Sequence, residues 1–523
     1  MSLFTAQVRP GQALGFLVLG ATLHDILTRL KAEPQRFPKL DLTYEHTAPV
    51  EDPVILGLPA NGIRLRFDGP EQRLRLIEVL DFTKSHLTYN DRDVLRPAAS
   101  AQTTPSQSQN GPTFRHIYKN LLGPTFPGEY VEPEAGDETG MGLYVLSYPG
   151  LAFSFPMHFS SWSPGKDVVF LLSSSASHPA ASMAIFAGDS WPDARERLFT
   201  MTMDPLDTFS AIIKGKESVP AEVRLVNIHG EGRLELLRSR GHAPLWIQLG
   251  HTSPQELVAE LGPPDAIYRK NDQRMSIHKP RQNTGTHPRP DLNDLRIQDD
   301  STDTDQSSAH TATSDDSDDE NEDGEVAGNV SGECFYNYFY HGFDVLVSTP
   351  TSPSQCPPSK LPASHEAEPD GIVHTDASSR LVASKLVLHG NVPGSYPFNR
   401  HRRCRWEIQY LTPGKGKDVV NSESAFKDIE SRLHEEWKSI YKNAEEAKAR
   451  QRGMVLNRDW GDSPGSSCEL LGGWEDSVGG RRTDIAGPGA EDVKGLGNTT
   501  LFGFPGLVFE VLKNGTVSGV TVF

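Results

Sequence analysis

The chain has 523 residues, a formal net charge of −18, and Gly 46 and Pro 39, a balance that favours turns and loops over long helices. Twelve carboxylates and no Lys or Arg fall between Ile297 and Glu325, so the rest is mildly acidic and offers no broad basic surface for nucleic acid. The cysteines Cys334, Cys356, Cys404 and Cys468 lie far apart without C-x-x-C spacing, which argues against a zinc site and for reduced, cytosolic thiols. No run reaches the roughly 18 apolar residues of a membrane span.

The apolar stretch Ala13 to Ala21 has one arginine before it, as a secretory leader would. Thr22 to Leu30 carries the pattern on as an amphipathic helix, with Leu23, Ile26, Leu27 and Leu30 on one stripe, and this favours a folded segment. Four glycines each precede a run of alternating apolar residues: Gly62 before Ile63–Phe67, Gly150 before Leu151–Phe155, Gly342 before Phe343–Val347, and Gly506 before Leu507–Val511. Period-two spacing places one set of side chains on one face of a sheet, and glycine allows the turn that starts it. Second strands are expected at Arg73 to Leu80, Ser384 to Leu388 and Thr516 to Phe523, the last after the hairpin signal Asn514-Gly515.

A second helix is expected at His251 to Leu261, with Thr252 or Ser253 as N-cap, Pro254 in its first turn and Gly262-Pro263-Pro264 as its stop. Gly250-His251-Thr252 opens it much as Gly20-Ala21-Thr22 opens the first. A third helix fits Ser422 to Gln451, with Phe426, Ile429 and Leu433 as its stripe.

The expected fold is α+β and β-rich, built from repeated helix plus antiparallel hairpin modules with long disordered insertions. Residues 1–97 form an N-terminal module, 98–112 a linker and 113–243 a second β-rich module. Residues 244–410 form a third, carrying an acidic insertion at 279–332 and a loop at 350–370. Residues 411–500 hold a helix and a Gly-rich variable segment, and 501–523 a C-terminal hairpin. The polar acidic stretch cannot bury enough apolar surface to offset its ordering entropy.

Candidate chemistry is sparse. Gly188-Asp189-Ser190-Trp191 resembles the start of one esterase class, but no companion Asp and His block follows, so a polar turn is expected. Gly414-Lys415-Gly416-Lys417 is too short for a phosphate loop. His278, His389 and His401 sit near strand ends, where surface or capping roles are expected; no metal and no cofactor are proposed. The strongest electrostatic feature is the run Arg400, Arg402, Arg403 and Arg405, whose forks suit a phosphate headgroup or an acidic partner. A solvated strand whose arginines pair with nearby acids is the competing reading. Ser314 and Ser317, each followed by acids, suit acid-directed phosphorylation.

Together these stretches carry a family likeness. It runs through Leu14 to Leu30, Asn61 to Asp81 and Gly150 to Phe155. It continues through Gly250 to Lys270, Met275 to His278, and Tyr336 to Phe339 with Gly342 and Asp344. It ends with Lys385 to Arg405 and Phe502 to Phe523. In that order they resemble the phagosome (phagophore) assembly factor family, with little likeness across the acidic insertion and 411–500. The resemblance implies a soluble, non-enzymatic scaffold in autophagy. It would pair with a WD-repeat propeller protein and join the forming autophagosome membrane from the cytoplasm, with phosphoinositide binding belonging to the complex. The family brings no established catalytic residues. A phosphoinositide-binding trafficking protein at Golgi or endosomes, and an unrecognised hydrolase around Ser190, are the alternatives.

Overall fold

A computed structural model describes residues 3–95, 110–125, 128–132, 140–162, 179–200, 221–239, 241–269, 333–350, 381–411, 419–456 and 498–523. The expected insertion at 279–332, the loop at 351–370, the core of the Gly-rich segment, and Ser314 and Ser317 lie outside the described residues.

The first strands are β1 (Phe4–Arg9), β2 (Ala13–Leu14) and β3 (Leu17–Val18). They form a meander whose inward residues are fully buried, so the apolar stretch around Leu14 is core strand. The helix Leu23–Ala32 follows, capped by the Thr22 hydroxyl and burying Leu23, Ile26, Leu27 and Leu30 as its periodicity requires. Next come β4 (Asp41–Thr43), β5 (Val54–Leu58), β6 (Ile63–Phe67), β7 (Leu74–Val79), β8 (Ser85–Tyr89) and β9 (Arg92–Asp93). β8 returns to lie parallel to β1. A helical turn at 114–121 leads to β10 (Glu129–Val131), β11 (Met141–Tyr148), β12 (Leu151–His158) and β13 (Ser182–Phe186), and β13 pairs with β7.

The chain then repeats this course. β14 (Val223–Gly230), β15 (Arg233–Arg238) and β16 (Leu245–Gln248) form a meander. The helix Pro254–Leu261 follows, with a complete capping box between Ser253 and Glu256. β17 (Ala266–Arg269), β18 (Cys334–Tyr338), β19 (Phe343–Ser348) and β20 (Val382–His389) lead to β21 (Trp406–Ile408), which lies parallel to β14. The helix Phe426–Glu436 leads to β22 (Met454–Leu456), β23 (Thr499–Phe504), β24 (Leu507–Leu512) and β25 (Val517–Val522), and β25 pairs with β20.

The two large sheets have the orders β10-β11-β12-β13-β7-β6-β5-β4 and β22-β23-β24-β25-β20-β19-β18-β17. They match strand for strand. The likeness extends to single hydrogen bonds. Gly20 N donates to Leu74 O and Leu74 N to Ala21 O, while Gly250 N donates to Ala383 O and Ala383 N to Thr252 O. The four glycines seen in the sequence hold φ of 67°, 72°, 83° and 76°. They form two equivalent pairs: Gly62 with Gly342 opens β6 and β19, and Gly150 with Gly506 opens β12 and β24.

The molecule is therefore two copies of one α+β unit, and the module boundaries expected from sequence shift. Strands β14 and β15 hydrogen-bond to β16 and β21, so residues 223–238 belong to the second unit and not to a module ending at 243. The final hairpin is not separate; β25 lies inside the second large sheet, between β24 and β20. The helix expected over 422–451 is interrupted after Ile440, and Asn443 caps a second piece, Ala444–Arg450.

Each unit has its own apolar core, one built from Phe4 to Ile185 and one from Val223 to Val522. In the last hairpin Leu507 faces Val522, Phe509 faces Val520 and Val511 faces Val517, all buried. Each contributes about 1.5–3 kcal/mol. Ending the chain after Gly515 removes β25 and strips two neighbouring strands of their ladder. Calorimetry should then show the transition of the second unit lost; an unchanged melting profile would refute the placement.

Candidate functional site

The arginine run lies in the loop between β20 and β21, and this loop faces the first unit. Arg402 reaches Asp25, in the first turn of the Leu23–Ala32 helix, through Nε (2.8 Å) and Nη2 (2.5 Å). Its Nη1 is 3.6 Å from Glu222, and its guanidinium stacks 3.7 Å over the Tyr340 ring. Arg73 closes the link from the other side, bonding Glu222 at 2.5 Å and Gly20 O at 3.1 Å. Arg403 donates to Pro70 O and Gly390 O, both at 2.7 Å, and pairs with Glu423. Arg405 pairs with Glu423 at 3.0 Å and with Glu71 at 3.5 Å; Glu71 also meets Arg75 and Arg224.

Beside these charges Gln72 Nε2 donates to the Asn391 backbone carbonyl and Asn391 Nδ2 donates to Gln72 Oε1, both at 2.8 Å and both buried. Asn391 Oδ1 accepts from Asn399 N. All three hold positive φ, of 52°, 46° and 62°. Non-glycine residues rarely adopt that conformation, so three at one junction mark a place where tertiary contacts dictate the backbone. A small apolar cluster of Val50, Val392 and Leu512 completes the seam, with Asn514 donating to His46 O.

Burial opposes the charges of Asp25, Arg402 and Glu423, and their partners win. Burial alone would raise the Asp25 pKa, but Arg402 and His24 hold it well below the usual carboxylate range. Burial alone would lower that of Arg402, but Asp25 and Glu222 hold it above its ordinary value. Glu423 stays below its ordinary value through Arg403 and Arg405 despite burial. For Arg403 burial wins, and its pKa falls although Glu423 resists.

Of the four arginines expected to meet an anion or partner, Arg402, Arg403 and Arg405 are thus engaged by the chain's own carboxylates and carbonyls, and Arg400 is exposed. They do not form one open patch. Ser190 caps the helix Trp191–Arg197, its hydroxyl donating to Asp193 at 2.6 Å. That is the polar turn expected of it.

A second cluster was not assembled from sequence. Asp344 on β19 accepts from His389 Nε2 (2.8 Å) and His401 Nε2 (2.9 Å). An ionised carboxylate can only accept, so both imidazoles are Nε2–H donors. These hydrogen bonds hold the Asp344 pKa below its ordinary value, although burial alone would raise it. The ligand-type atoms of the three lie within 4.8 Å of one another. Coordination by both histidines would need ring planes that converge on one ion. The rings instead stack 3.8 Å apart at 15°, so the cluster is a hydrogen-bonded pin that holds the arginine loop to β19. His389 and His401 were visible in sequence; Asp344 as their shared acceptor was not.

A sequence profile of the family Phagosome assembly factor 1 matches residues 13–292 and 372–523. The chain belongs to this family. The match runs through 411–500, where the sequence alone showed little likeness, and leaves out 293–371, which holds most of the acidic insertion. A PHAF1 protein of Arabidopsis thaliana is 23% identical across 99% of this chain and 92% of its own length. One of Drosophila melanogaster is 22% identical across 97% and 90%, and one of Caenorhabditis elegans 23% across 75% and 74%. No solved structure matches. Among the described residues of this family member no helix is long and apolar enough to cross a membrane.

Two predictions follow from the charges. Removing one partner of a buried ion pair costs roughly 3–5 kcal/mol. Arg402→Met and Asp25→Leu should each lower stability on that scale in denaturant unfolding, and the double variant should lose less than the sum. Strict additivity would contradict the pairing. Burial pushes the pKa of both His341 and His401 down to about 4. Below pH 6.5 the unfolded chain binds protons that the folded chain refuses, so their stability contribution, complete above 6.5, drains away as pH falls toward 4. The slope reaches about 1.4 kcal/mol per pH unit for each histidine. The melting temperature should fall between pH 7 and 5, and less steeply in His401→Asn; a flat profile would contradict it.

Proposed function

We propose that this protein is a non-enzymatic scaffold of autophagy. It pairs with a WD-repeat propeller protein and moves from the cytoplasm to the phagophore assembly site, with phosphoinositide contact made by the complex. The observation that carries this reading is the family match along both units. The structure adds support on one point. Three of the four clustered arginines are spent on holding the units together, which favours membrane contact through a partner over direct binding by the run. Partner recognition then falls to the outer surfaces of the two duplicated units.

Direct phosphoinositide binding is the second reading, and Arg400, the exposed member of the run, is what keeps it open. Flotation on vesicles containing phosphatidylinositol 3-phosphate separates the two. The purified chain should stay in the soluble fraction, and the chain captured with its partners from starved cells should float, with a WD-repeat protein in the captured set by mass spectrometry. Flotation of the lone chain, abolished by Arg400→Glu, would favour direct binding. Capture without any WD-repeat protein would sink the scaffold reading as stated.

A further inference from the structure

The two units differ at one equivalent place, and the difference leaves an opening. In the first unit the β1–β2 turn sits directly on the β11–β12 turn: Gly11 N donates to Gly150 O at 2.9 Å. A Cβ on Gly150 would lie 2.1 Å from Gly11 N, so the backbones touch. In the second unit the corresponding turns are Gly230–Gly232, between β14 and β15, and Pro505-Gly506, between β23 and β24. The sequence is kept there, Pro149-Gly150-Leu151-Ala152-Phe153 against Pro505-Gly506-Leu507-Val508-Phe509. The contact is not kept: among the described residues a Cβ on Gly506 would find Phe523 O at 3.5 Å and nothing closer. Between the turns lies a cavity of about 400 Å³ lined by both, within the range of small-ligand sites.

Its walls have a definite chemistry. Tyr410 and Trp437 meet edge to face at 6.1 Å, and Phe523 is 48% exposed beside them. Glu231 and Glu436, both exposed, add negative charge; among the described residues no lysine or arginine lines the cavity, and Lys385 Nζ lies 6.0 Å from the Phe523 ring. The Tyr410 hydroxyl feels this, its pKa pushed up to about 12 by burial first and by the nearby Glu436 carboxylate second. Aromatic faces with carboxylates at the rim attract a cation that keeps an apolar stem.

We propose that this slot is a docking site for a partner protein, taking an arginine or lysine side chain from a short segment flanked by apolar residues. It rests on the scaffold reading only in requiring a protein partner. In the first unit the two turns fill the equivalent space with each other; in the second they are held apart and an outside side chain takes that place. The aromatic walls supply the cation–π contact and the apolar seat, and the two glutamates set the sign of the charge.

Fluorescence anisotropy on the full chain tests it, with a fluorescein-labelled peptide carrying a central arginine between leucine and phenylalanine. A glutamate-centred version is the control. The arginine peptide should bind saturably and the control should not. Glu231→Lys with Glu436→Lys should weaken binding at least tenfold, and so should Phe523→Ala; all three positions are exposed, so the fold should persist by circular dichroism. No saturable binding, equal binding of the control, or indifference to these substitutions would overturn the proposal. So would a tenfold tighter complex after Lys415→Gln with Lys417→Gln, because the chain's own basic residues would then be the occupant. Capture of the WD-repeat protein is scored in parallel. If capture survives while peptide binding fails, the slot is wrong and the scaffold stands. If peptide binding holds while capture fails, the scaffold reading is wrong in its partner.

Discussion

The bidentate bond from Arg402 to Asp25 is the contact on which the arrangement of the two units depends. It joins residues 377 positions apart, one on the first helix of the first unit and one in the long loop of the second. Around it Arg73, Arg75, Arg224, Arg403 and Arg405 interleave with Asp68, Glu71, Glu222 and Glu423. A buried charge is costly unless its partner and hydrogen bonds are in place. The seam therefore tolerates one geometry. An apolar interface could slide by a fraction of a side chain; an Arg–Asp fork with carbonyl-bound neighbours cannot. The positive φ at Gln72, Asn391 and Asn399 shows the backbone bending to meet that demand.

Duplication explains why the seam is needed and what it leaves free. Each copy closes its own core and buries its helix against its sheet, and the apolar contacts between the copies are few, Val50 with Val392 and Leu512, and Phe398 against the first core. The seam adds a fixed relation between two bodies that already fold alike. Once that relation is fixed, equivalent places are free to diverge. Where the first unit has the Gly11–Gly150 contact, the second has an aromatic slot. In place of the short link from β7 to β8 the second unit has the loop 390–405, which carries the seam arginines and the His401 that Asp344 pins.

Much of the local structure was legible because its causes are local. Thr22 and Ser253 cap helices because a hydroxyl meets an orphan amide, and Leu23, Ile26, Leu27 and Leu30 bury together because the helix repeats every 3.6 residues. The glycine-led strands follow from alternation and from the need for positive φ. What stayed hidden is long-range. Alternation in β14 does not say that its outer partner is Trp406–Ile408. The arginine run shows its charge, but its carboxylates at positions 25, 71 and 222 belong to distant stretches with no shared pattern. A solvated strand and an inter-unit clamp look alike until the chain is folded, and the acids proved to be partners across the seam as well as neighbours in sequence.

Hydrogen exchange by mass spectrometry on Arg402→Met addresses the coupling between units most directly. Breaking the clamp from the second unit's side should raise exchange in the first unit, over the helix Leu23–Ala32 and strand β7, as well as in the loop 390–405. Faster exchange confined to that loop, with the first unit as protected as before, would contradict the account.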